Sequence, residues 1–89
     1  MAQKEDETLR FPTNLDRAAI ESRLVEVREV ARGQGLPYVV SLFENVQSMA
    51  AAQIGTNVVA ALTWLQDKPA HRPLTRQLEM VAMNLKNLK

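Results

Sequence analysis

Between Gln34 and Gln66 the chain carries a single charge, Glu44. A helix face open to water normally holds lysines and glutamates, so a neutral stretch of this length is expected to be covered from more than one side. The whole chain has 89 residues. That is one domain, and a domain this short buries only about 60% of its unfolded surface. Small domains offset this with disulfides, bound metals or oligomerisation. There is no cysteine, which rules out a disulfide, and one histidine without a thiol gives a zinc cluster no ligand set. Oligomerisation is the remaining route, and no cofactor or metal is expected.

Charge is distributed unevenly. Residues 1–12 carry Lys4 and Arg10 against Glu5, Asp6 and Glu7, a net −1. Residues 13–33 balance four arginines against four acids. From Asp67 onward Lys68, Arg72, Arg76, Lys86 and Lys89 oppose Asp67 and Glu79, a net +3. The N-terminus is polar and acidic with no apolar stretch, so it does not read as a signal peptide, and a cytoplasmic location is expected.

Residues 1–12 lack periodicity and read as a flexible arm, with residues 13–89 as a single helical domain. Thr13-Asn14-Leu15-Asp16 has the form of a capping box, which predicts a first helix opening at Thr13. Ile20, Leu24, Val27 and Ala31 recur at helical spacing along it, and Gly33-Gln34-Gly35 closes it. Pro37 suits the first turn of a second helix. Val39, Phe43, Val46, Ala50, Ile54, Val58, Ala61 and Leu65 then keep one phase, which predicts a continuous central helix over about 37–67. Such a helix would be about 45 Å long. The alternative is a break at Gly55-Thr56-Asn57 with Thr56 as the cap. Pro69 and Pro73 mark a turn, and Leu74, Leu78, Val81, Leu85 and Leu88 form the last helix. The expected fold is an all-α bundle of three helices, or four if the central one divides, completed by oligomerisation.

Val46–Leu65 is twenty residues without a charge, the length of a membrane span. It includes Gln47, Ser48, Gln53, Thr56, Asn57 and Thr63, whose polar groups are costly in hydrocarbon. A central helix packed on most sides accounts for it better, and no membrane partner is expected.

Chemistry finds little support. His71, the one histidine, lies in a proline-flanked turn with no partner for acid–base or metal work. Glu44 reads as an exposed residue near the start of the second helix. The glycines follow a helix rather than a strand, the wrong context for a phosphate loop. The residues that stand out are instead the small and neutral stripe Ser41, Asn45, Ser48, Ala52, Thr56, Val59 and Thr63. Small neutral side chains let helices approach closely and hydrogen-bond across a contact. The expectation is therefore a non-enzymatic interaction module, a regulator, adaptor or chaperone-like subunit. It would pair with itself or with another protein through Ser48, Ala52 and Thr56, with Phe43 and Trp64 as apolar anchors. The runner-up is a DNA-associated regulator contacting phosphates through Arg72, Arg76, Lys86 and Lys89.

Overall fold

A computed structural model describes residues 15–88. They form four α-helices: α1 (Arg17–Gly33), α2 (Pro37–Leu42), α3 (Ala51–Leu65) and α4 (Arg72–Ala82). Short 3-10 turns at Val46–Ser48, Pro69–His71 and Leu85–Asn87 complete the order. The described residues contain no strand. No helix among them is long and apolar enough to cross a membrane.

α1 begins later than the capping box predicted. Asp16 is the cap: its backbone is extended and its Oδ1 accepts a 2.9 Å hydrogen bond from the Ala19 amide. The carboxylate thus takes the capping role, three residues further along the chain than Thr13. Thr13 and Asn14, like the arm at residues 1–12, lie outside the described residues. The far end of α1 is a Schellman closure. Gly35 takes φ +71°, the Leu36 amide reaches Ala31 O at 2.9 Å and the Gly35 amide reaches Arg32 O at 3.3 Å. Leu36 and Ala31 are both buried, supplying the apolar contact that accompanies this motif.

The continuous central helix is not what forms. α2 stops at Leu42 and α3 starts at Ala51, so the division falls over residues 43–50, ahead of Gly55, and Thr56 is interior to α3 rather than a cap. Tertiary hydrogen bonds explain the position. Asn57 Nδ2 donates to Leu42 O at 2.7 Å, Arg28 Nη1 to Glu44 O at 3.1 Å, and Arg17 Nη2 to Met49 O at 2.5 Å. Those carbonyls would be used inside an unbroken helix; here side chains from α1 and α3 collect them, satisfying groups that chain reversal leaves open. The bend lets Val39, Phe43, Val46 and Ile54 all enter one core.

α1 packs on α2 and α4, and α3 packs on α4 and α2. The shared core holds Ile20, Leu24 and Val27 from α1, Ile54, Val58 and Leu65 from α3, and Leu74, Leu78 and Val81 from α4. Each helix contributes the stripe its spacing predicts. After Ala82 the last helix tightens, and the buried position falls on Asn84, which is fully enclosed. Its Oδ1 accepts from the Leu15 amide at 3.0 Å and its Nδ2 donates to Met80 O at 2.8 Å. Asn87 Nδ2 donates to Leu15 O at 2.8 Å and to Asn84 Oδ1 at 3.2 Å. Two asparagines from the C-terminal end thereby hold the chain where it enters α1.

Candidate functional site

Helical geometry places Ala52, Thr56, Val59 and Thr63 on one line of α3, opposite the core line of Ile54, Val58, Ala61 and Leu65. All four residues of the outer line are exposed, and Val59 at its centre is 57% exposed. Gln53 and Gln66 extend the same surface, and Ser41, Asn45 and Ser48 lie exposed on the segment leading into α3. No charge interrupts the chain from Asn45 to Gln66. The bundle therefore covers one side of α3 and leaves the neutral side open. Gln53 Nε2 donates to Asn57 Oδ1 at 3.0 Å, and Asn57 is in turn committed to Leu42 O, so this pair braces the rim of the face against α2.

An aromatic cluster borders the face. Tyr38 on α2 and Trp64 on α3 have ring centroids 5.3 Å apart at a tilt of 49°. Lys68 Nζ sits 4.2 Å above the Trp64 ring, donates to Trp64 O at 2.9 Å and reaches Asp67 Oδ1 at 3.1 Å. The hydrogen bond from Lys68, with its charge, holds the exposed Asp67 carboxyl below its usual range. Tyr38 is 42% exposed and Trp64 half-buried. Periodicity alone missed the involvement of Tyr38 and Lys68, although Trp64 and Lys68 at an i,i+4 spacing were a readable signal.

Of the residues the sequence singles out for an interface, Ser48, Ala52 and Thr56 are exposed and Trp64 stands at the edge. Phe43 is different. It is 0% exposed, so it packs the interior of the chain rather than anchoring a partner. Its place in the apolar phase of the predicted helix was a core signal. Glu44 is exposed in the turn after α2. His71 ends the 3-10 turn and holds the N-cap position of α4, with Nδ1 2.8 Å from Gln34 Oε1.

Arg72, Arg76 and Lys86 are spread along α4 and the turn after it. Arg72 and Arg76 are exposed one turn apart at the start of α4, beside Lys68. Lys86 lies beyond the far end of that helix, about 20 Å along by helical rise, and Lys89 lies outside the described residues. Among the described residues no group of three or more acidic or histidine side chains could hold a metal ion. In comparisons with known proteins, no family model, curated protein or solved structure matches this chain.

Proposed function

We propose that this chain is a protein–protein interaction module that pairs with a second copy of itself through the neutral outer face of α3. The observation that carries this reading is a fifteen-residue helix whose exposed line, Ala52, Thr56, Val59 and Thr63, holds no charge. A two-fold interface brings a surface against its own copy. A charged line would meet like charge near the axis, whereas a neutral one meets nothing that must be desolvated at high cost. Threonine hydroxyls and glutamine amides each donate and accept, so they are able to pair with their own kind. Val59 supplies an apolar centre.

α3 is about 22 Å long, so its outer line alone falls short of the roughly 800 Å² per partner typical of a stable interface. Ser41, Asn45, Ser48 and the Tyr38–Trp64 edge are therefore included, and the association is expected to be weak and concentration-dependent. Sedimentation equilibrium of the native chain and of Thr56→Lys and Val59→Lys tests this. The native mass should rise with concentration, and both variants should stay monomeric with unchanged helicity, since neither site faces the core. A native chain that stays monomeric, or variants that assemble as it does, would contradict the reading.

A further inference from the structure

A groove of about 320 Å³ runs between the C-terminal end of α3 and the first half of α4. Lys68 and Arg72, four residues apart, line it together with Leu65, Gln66 and Thr75, and Glu79 lines it about two turns further along α4. Arg72 is exposed and makes no ion pair among the described residues. Lys68 uses two of its three ammonium protons on Trp64 O and Asp67 Oδ1, which leaves one for a ligand. The same ammonium sits 4.2 Å above the Trp64 ring, and Trp64 lies 5.3 Å from the ring of Tyr38, the more exposed of the two aromatics. Two short steps thus connect a cationic groove to an exposed aromatic ring.

Cations alone would suit any anion, including an acidic peptide. A planar ring beside them selects anions that carry a planar group, and in a nucleic-acid strand every phosphate is joined to a base with a π-face. A duplex keeps those faces stacked inside, whereas a single strand can splay them onto aromatic side chains. We infer that this end of the bundle binds single-stranded nucleic acid, one base stacking on Tyr38 while Lys68 and Arg72 hold the adjoining phosphates. Two phosphate contacts and one stack make a weak site with a defined salt dependence. For single strands the logarithm of affinity falls against the logarithm of salt with a slope of about −0.7 per contact. Two contacts give about −1.4, or binding about sevenfold weaker at 200 mM than at 50 mM salt.

The test titrates a single-stranded thymidine hexamer into the isotope-labelled full-length chain and follows the amide signals of Tyr38, Lys68 and Arg72. Tyr38 also borders the neutral face of α3, so the protein is kept dilute enough to be monomeric. These signals should shift saturably. Tyr38→Ala should weaken binding by about 5- to 150-fold and leave the salt slope unchanged. Tyr38→Phe keeps the ring and should bind as the native chain does, which separates stacking from a local loss of structure. Arg72→Gln should halve the slope to about −0.7. No saturable shift, shifts confined to other surfaces, or equal affinity for an abasic hexamer of the same charge or for a duplex would overturn the proposal. Any of those results leaves the self-pairing reading standing, because the titration is made on unpaired chains.

Discussion

Among the described residues, replacing Asn84 with alanine removes three hydrogen bonds at one fully enclosed point. The Leu15 amide loses its acceptor, Met80 O loses a donor, and Asn87 loses a partner. Each hydrogen bond is worth about 1 kcal/mol net, and a stranded buried backbone group costs about 1–3 kcal/mol more. Water entering the vacated space would serve some of these groups, which lowers the sum. The expected loss is about 2–4 kcal/mol, a large share of the roughly 5–15 kcal/mol that holds a small domain together. Urea denaturation followed by far-ultraviolet circular dichroism measures it. Asn87→Ala is the companion, removing at a half-buried site the amide that donates to Leu15 O and Asn84 Oδ1, with an expected loss of about 1–2 kcal/mol. A loss below about 0.5 kcal/mol for Asn84→Ala, the range of ordinary surface changes, would show that the asparagine latch does not hold the start of α1.

Phe43→Ala empties a wholly buried ring site and should cost about 3–5 kcal/mol, seen as a lower urea midpoint or outright unfolding; a surface-like change would return Phe43 to the interface. Gly55→Ala should add roughly 0.5–1 kcal/mol, because a Cβ there would meet only Leu85 Cδ1 at an ordinary 3.8 Å, and a lower melting temperature would contradict the interior position in α3. Glu29 accepts hydrogen bonds from Arg28 and Arg32, which hold its carboxyl below the ordinary 4.5. A folded value below the unfolded one makes its contribution complete above pH 4.5 and lost as pH falls further. Glu29→Gln should therefore flatten that acid limb of the stability curve, and an identical limb would place the acid loss elsewhere.

Where apolar residues kept helical phase, the sequence disclosed the structure. Ile20, Leu24, Val27 and Ala31, and likewise Leu74, Leu78 and Val81, are buried as their spacing predicts. The same phase misled over residues 37–67. It runs unbroken through a segment that bends, because Phe43 and Val46 serve the core as well from a turn as from a helix. What sets the bend is the reach of Arg28 and Asn57 to Glu44 O and Leu42 O, across 16 and 15 residues. No local pattern reports such contacts. Asn84 escaped for a related reason: the tightened turn after Ala82 shifts the inward position by one residue, and a polar side chain in a leucine-rich stretch looks solvated until its partners are known. Of the candidate face, the missing charges were legible and the exposure was not. Spacing cannot tell which side of a helix its neighbours leave bare, nor that Tyr38 would stack beside Trp64.

Pairing of two copies across α3 is tested most directly by mixing isotope-labelled and unlabelled chains and recording nuclear Overhauser contacts that cross between molecules. The methyl groups of Val59 and Thr56 in one copy should show contacts to the same residues in the other. Intermolecular contacts confined to other surfaces, or none at concentrations where the solution mass exceeds that of one chain, would contradict the account.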